Sequence, residues 1–225
     1  MTETAQQIQL GSGGQWARRE AFSGGKLEVL SPKGVHGPDR ALLDAFTAAI
    51  EGRVLVVGTR EALAALGLVR LFPGAEVHLF TMDAFDLHRA RESLRANAAN
   101  GVQCHLAADL PEPGSFDWVI LGVPHAGDAM LAGELIREAH GALKPRGKIL
   151  AATDNSRDHW LHDRIIEAFG AATIHLRSKH GMAYIARKRQ DHAPRDRDVR
   201  REFQARLFGQ TLELESRPGV FAHGK

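Results

Sequence analysis

The stretch Val54-Leu55-Val56-Val57, closed by Gly58, constrains this chain more than any other, because consecutive apolar residues ended by a glycine mark a parallel strand buried on both faces. Such a strand needs helices on both sides of its sheet, and the sequence supplies them. A helical pattern over 61–71 leads to a strand at 76–80. A helix over 83–97 follows, with Leu87, Ala90 and Leu94 on one face, and then a strand at 102–107. The turn Pro111-Glu112-Pro113-Gly114 opens a strand at 118–121. A helix over 129–143 stops at Lys144-Pro145-Arg146-Gly147 before a strand at 148–152. A helix at 159–169 and two strands at 173–176 and 182–187, pairing as a hairpin, close the pattern. Strands and helices alternating in this way predict an α/β domain built on a doubly wound, mostly parallel sheet of seven strands. Ahead of it the sequence predicts a short strand at 26–30. It also predicts a helix over 38–50, with Leu42, Leu43, Phe46 and Ile50 at helical spacing and Asp39 at the favourable end of the dipole.

A length of 225 residues suits one such domain with additional segments. The expected division is an amino-terminal extension at 1–25, punctuated by Gly11-Ser12-Gly13-Gly14 and Ser23-Gly24-Gly25. The domain follows at 26–190, and a basic helical linker with the start of a second repeat at 191–225. That last assignment rests on an internal echo. Leu27-Glu28-Val29-Leu30-Ser31-Pro32-Lys33-Gly34-Val35-His36-Gly37 returns near the end as Leu212-Glu213-Leu214-Glu215-Ser216-Arg217-Pro218-Gly219-Val220-Phe221-Ala222-His223-Gly224. Chance likeness of strand-and-turn segments is the competing reading.

Several function classes recede. No apolar run approaches the ~20 residues of a membrane helix, and Met1 to Gln9 lacks the pattern of a secretory signal, so a cytoplasmic protein is expected. Cys104 is the only cysteine, which excludes an internal disulfide and a cysteine-cluster zinc site; a buried thiol is expected. His159 and His162, with Asp158 and Asp163 beside them, and His175 and His180 are read as solvated histidines rather than metal ligands. Ser31, Ser93 and Ser115 sit in no nucleophile-elbow pattern, and Gly58 lacks the further glycines of a dinucleotide loop. Trp160 and Tyr184 are read as core or domain-interface anchors, with nucleic-acid stacking as the alternative.

The formal net charge is only +2, but basic residues gather late in the chain. Arg187, Lys188, Arg189, Arg200 and Arg201 are the candidate RNA contacts. Arg195, Arg197 and Arg206 lie among them, interleaved with Asp191, Asp196, Asp198 and Glu202, so a solvated mixed-charge segment is the simpler reading.

From Leu27 to Arg187 the chain resembles the class I S-adenosylmethionine-dependent methyltransferases. Most closely it resembles the bacterial ribosomal RNA guanine-N2 methyltransferases, which carry two tandem methyltransferase-type domains, the first of them degenerate. The segment Pro218-Gly219-Val220-Phe221 resembles the one that introduces their active domain. The resemblance implies a glycine-rich loop after the first sheet strand, where backbone approaches the methyl donor without an intervening Cβ. Here that stretch reads Val56-Val57-Gly58-Thr59-Arg60-Glu61-Ala62: only Gly58 matches, Val56 stands for the acid, and Arg60 and Ala62 stand for glycines. The ribose-binding carboxylate falls on Thr81, with Asp83 two residues on, where a helix-start role is the expected one. The Asn-Pro-Pro-aromatic segment that orients an exocyclic amine falls on Gly122-Val123-Pro124-His125, where Pro124 alone matches.

Implied cofactor-site residues are Gly58, Thr59, Thr81, Asp83 and Asp109, with no catalytic residue and no metal. The expectation is a non-catalytic domain that stabilises a catalytic methyltransferase domain, downstream or in another chain, and aids binding of ribosomal RNA; S-adenosylmethionine is the family's cofactor. Two alternatives stay open. One is an active S-adenosylmethionine-dependent RNA methyltransferase with an atypical loop. The other is a small-molecule-binding or interaction domain on the same fold.

Overall fold

The computed structural model describes residues 8–10, 15–22, 25–30, 37–58, 60–195 and 199–219. It opens with strands β1 (Ile8–Leu10), β2 (Gln15–Phe22) and β3 (Gly25–Leu30), which pair antiparallel as one small sheet. Helix α1 (Gly37–Ala45) then leads into β4 (Arg53–Val57), α2 (Leu63–Leu71), β5 (Glu76–Thr81), α3 (Ala84–Ala96) and β6 (Gln103–Leu106). The second half runs β7 (Phe116–Val123), α4 (Ala129–Ala142), β8 (Leu143–Thr153), α5 (Trp160–Phe169), β9 (Thr173–Ser178) and β10 (Gly181–Arg187). A separate hairpin, β11 (Arg201–Leu207) with β12 (Gln210–Ser216), ends it.

The main sheet has seven strands in the order β6-β5-β4-β7-β8-β10-β9. Strands β4, β5, β6, β7 and β8 run parallel, and β10 is antiparallel to both β8 and β9. The expected doubly wound sheet is therefore present. Its winding reverses between β4 and β7, and such a switch point leaves a crevice at the carboxyl ends of the strands. Alternation along each strand divides the core between two layers. Val54, Val56, Val77 and Ile120 pack beneath α1, α2 and α3, while Leu55, Val57, Val119 and Leu121 pack beneath α4 and α5. Val56, which stands where the resemblance places an acid, is thus a core residue on the α1–α3 side, 0% exposed.

Three expectations are corrected. Residues 1–25 do build elements, since β1 and β2 lie there; Gly11 to Gly14, Ser23 and Gly24 fall outside the described residues. The helix expected over 38–50 ends at Ala45, where the tight turns Phe46 N to Leu43 O and Thr47 N to Ala45 O send the chain back toward β4. The helical linker of 191–225 is a β-hairpin in its described part. Phe203, Ala205, Leu207, Leu212 and Leu214 recur every second residue, and Phe208 (φ 49°) and Gly209 (φ 80°) both take the left-handed conformation that a two-residue hairpin turn requires. Asp196, Arg197, Asp198 and residues 220–225 lie outside the described residues, as do Ser31 to His36.

The hairpins also show a geometric likeness. In β2–β3 the pair flanking the turn is Phe22 and Gly25; in β11–β12 it is Leu207 and Gln210. Counted from those turns, Leu27 and Leu212 hold equivalent register positions, and so do Glu28 and Glu213.

Candidate functional site

The crevice at the switch point is a cleft of about 820 Å³, within the range of small-molecule sites. The ends of β4, β5, β7 and β8 form its floor through Val57, Phe80, Leu121 and Thr153, and the first turns of α3, α4 and α5 form its rim. Gly58, Thr81 and Asp83 all line it. Thr59 lies outside the described residues. Asp109 is not brought to the cleft: it is exposed and bound to Arg217 at 2.6 Å, and that hydrogen bond holds its carboxyl below the usual range.

Gly58 has a structural reason to be glycine. Its φ is +78°, and a Cβ there would sit 2.3 Å from the carbonyl oxygen of Gly122, so the ends of β4 and β7 close up only without one. Its presence alone is therefore no sign of a ligand. Ala62 keeps the left-handed backbone (φ 61°) that a glycine adopts freely, but it is fully buried in the core and does not reach the cleft. Arg60 is exposed at the rim, and the cleft keeps its volume beside it.

The polar groups of the cleft are committed to the fold. Asp83 caps α3, accepting from Phe85 N at 2.7 Å and Asp86 N at 3.4 Å, the helix-start role expected for it. Thr81 Oγ1 accepts from Asp83 N at 3.1 Å and donates to its carbonyl at 3.3 Å. Asp86 binds Arg89 at 2.6 Å, and Arg89 reaches the buried Glu61 at 3.2 Å. Asp128 caps α4 through Met130 N and Leu131 N. Asp158 accepts from Leu161 N at 3.1 Å and from the Tyr184 hydroxyl at 3.0 Å. Tyr184 is 0% exposed, a core residue as expected, and burial raises its pKa. Of the four carboxylates that line the cleft, Asp83, Asp128 and Asp158 thus bind amides of the helix starts around it, and Asp86 pairs with Arg89 along α3.

At the end of β7, Gly122 is buried and carries no amide. A Cβ there would already stand 3.4 Å from the Gly58 carbonyl and from Pro38 Cβ, and 3.5 Å from Asp39 Oδ1, so a longer side chain would have to displace them. Pro124 and His125 begin a turn closed by Gly127 N donating to Pro124 O at 3.0 Å, and His125 N donates to Asp154 Oδ1 at 2.7 Å. The cleft is therefore large enough for a nucleoside-sized methyl donor, but its residues do not fit one in the family's manner. The ribose position is a threonine tied into its own turn, and the nearby acid is a helix cap.

The basic residues divide into two groups. Arg187, Lys188 and Arg189 follow β10 to the amino edge of the sheet, opposite the cleft, because Arg187 is in register with Lys148. There Lys188 Nζ donates to Leu143 O at 2.7 Å and Arg189 pairs with Asp191. Arg200 and Arg201 instead border a second cavity beside the cleft, together with Arg137, Arg164, Arg195 and Trp160. Sequence reasoning missed Arg137 and Arg164, whose glutamate partners three residues away resemble ordinary helix-surface pairs. It also missed the capping roles of Asp128 and Asp158, although each stands just before a helical run.

Among the described residues no group of three or more His, Cys, Asp or Glu comes together to hold a metal, and no helix is long and apolar enough to cross a membrane. Cys104 is half-buried, and burial raises its thiol pKa.

Residues 25–182 match the family described as "Methyltransferase small domain". No curated protein sequence matches the chain. Among solved structures it is similar to the T. thermophilus 16S rRNA N2 G1207 methyltransferase RsmC in complex with AdoMet and guanosine. The TM-score is 0.65 and the identity 22%, over 93% of this chain and 54% of that one. It therefore spans about half the length of that relative. TYW2 of M. jannaschii, in complex with AdoMet, matches at TM-score 0.58 and 14% identity, over 80% of this chain and 88% of that one. TrmN of Thermus thermophilus matches at 0.52 and 23%, over 67% and 48%. At these identities the likeness shows the fold.

Proposed function

This chain belongs to the methyltransferase small domain family, and on that premise we propose that it is a methyltransferase-like domain that does not itself transfer methyl groups. Its role is to stabilise a catalytic methyltransferase domain, downstream or in another chain, and to help hold ribosomal RNA for it. The observation that carries this reading is the commitment of the cleft's carboxylates to the starts of α3, α4 and α5, beside a Gly122 that leaves no amide to orient an amine. The matching register of the two hairpins supports a repeat, and with it a second domain of the same type as the partner. The RNA component draws support from the RsmC relative, whose substrate is 16S rRNA.

The test is a methyl-transfer assay with radiolabelled S-adenosylmethionine and ribosomal RNA. The chain alone is expected to incorporate no label, and turnover by it would overturn the reading. The open volume of the cleft favours a second reading, in which a small ligand occupies it through contacts unlike the family's. A thermal-shift screen of nucleosides and related small molecules addresses that reading directly.

A further inference from the structure

After β10 the chain doubles back along α5. His192 bonds the Glu167 carbonyl at 3.1 Å near the helix end, and residues 193–195 lead back toward Trp160 at its start. Between this strap, α4 and α5 lies a groove of about 470 Å³. Among the described residues five guanidinium groups line it, from Arg137 on α4, Arg164 on α5, Arg195 and Arg200 on the strap and Arg201 at the start of β11, against one carboxylate, Glu167. Its apolar floor includes Ala129, Met130 and Trp160. Trp160 is 39% exposed and also borders the cleft, so the groove and the cleft share an aromatic wall.

Two of these arginines form solvent-screened ion pairs. Arg164 pairs with Glu167 at 2.6 Å and Arg200 with Glu215 at 3.6 Å, both between half-exposed side chains, and such pairs are worth about 1 kcal/mol or less. Arg137 pairs with Glu134 between side chains that are more deeply set. A phosphate oxygen forms stronger, charge-assisted and often bidentate bonds with the same groups.

From this we propose that the groove binds a single-stranded RNA segment, with a base stacked on Trp160 and the flanking phosphates on the arginines. A basic groove beside an exposed aromatic face is the arrangement by which proteins hold unpaired nucleotides, since every base has a π-face and every linkage a charge. An acidic peptide would use the arginines but not the indole. The site deepens the function proposed above by giving RNA a place. It can fail independently of it, because RNA titration reports on the groove and methyl transfer on the cleft.

The experiment is a fluorescence anisotropy titration of a labelled single-stranded RNA dodecamer with the full chain. Arg195→Glu/Arg201→Glu is expected to weaken binding at least tenfold and to flatten the log–log salt dependence by about 1.4, from roughly 0.7 per lost phosphate contact. Trp160→Leu is expected to weaken it about fivefold or more and to abolish the quenching of tryptophan emission by RNA. Arg70→Glu/Arg95→Glu, on the opposite helical layer, serves as the charge control and is expected to stay within twofold. Unfolding curves establish that each variant is folded. Equal losses in the two charge-reversal pairs, an unchanged Trp160→Leu, or competition by poly-glutamate as effective as unlabelled RNA at equal charge would each overturn the proposal.

Discussion

The cleft and the groove share Trp160 and Ala129 as a common wall, yet their charged groups are held in opposite ways. In the cleft four aspartates line the rim, and each satisfies a neighbour within the fold: backbone amides of helix starts at Asp83 and Asp128, Arg89 along α3 at Asp86, and Leu161 N with the Tyr184 hydroxyl at Asp158. In the groove the ion pairs of Arg164 and Arg200 join half-exposed side chains that solvent already screens. Charge near a cavity is thus no measure of what the cavity can bind; what counts is whether the fold already uses it.

The strongest way to break this comparison is at the floor of the cleft. Gly58→Ala must force a Cβ to 2.3 Å from the Gly122 carbonyl at a φ of +78°, combining a left-handed penalty with overpacking. A loss of about 3 kcal/mol or more in denaturant unfolding is expected. A near-neutral effect would mean that Gly58 is kept for a ligand instead.

Acid provides a second probe, on the helices that wall both cavities. His140 on α4 is buried against the Phe169 ring of α5, and burial, with Lys188 and His192 nearby, lowers its pKa to about 4. The unfolded chain takes up its proton near pH 6.5, while the folded chain refuses it until about pH 4. Stability is therefore unaffected by His140 above about pH 7 and falls between those values, by on the order of 3 kcal/mol at the lower end. Urea midpoints at pH 7.5, 5.5 and 4.0 should show this decline in the wild type and a shallower one in His140→Gln.

The smallest effect distinguishes a helix cap from a ligand. Asp83→Ala is expected to cost about 1 kcal/mol of stability, with no change in the affinity of whatever occupies the cleft. A lost affinity with unchanged stability would reverse the assignment.

The sheet was legible because its central strands carry uninterrupted apolar runs that no other element accommodates. Val54 to Val57 and Trp118 to Leu121 fall where expected, and the switch between β4 and β7 follows from their order. The hairpin at 201–216 was not, because Arg201, Glu202, Arg206, Glu213 and Glu215 drew attention to net charge, while the two-residue alternation of Phe203, Ala205, Leu207, Leu212 and Leu214 carried the structural signal. In the candidate site, the replacement of the family's amide by Gly122 was readable from order alone, as was the cap at Asp83. The placement of Ala62 within the core was not, since its side-chain direction depends on the turn after β4. The groove was illegible for a different reason: Arg137 and Arg164 meet Arg195 and Arg201 only because the strap retraces α5, a path that local patterns do not encode.

The central claim is that the cleft's polar groups serve the fold and not the family's methyl donor. Isothermal titration calorimetry of S-adenosylmethionine into the chain tests it most directly. The account predicts no saturable heat, or a dissociation constant of about 1 mM or weaker, where a site gains only ~4 kcal/mol. Stoichiometric binding in the micromolar range would contradict it.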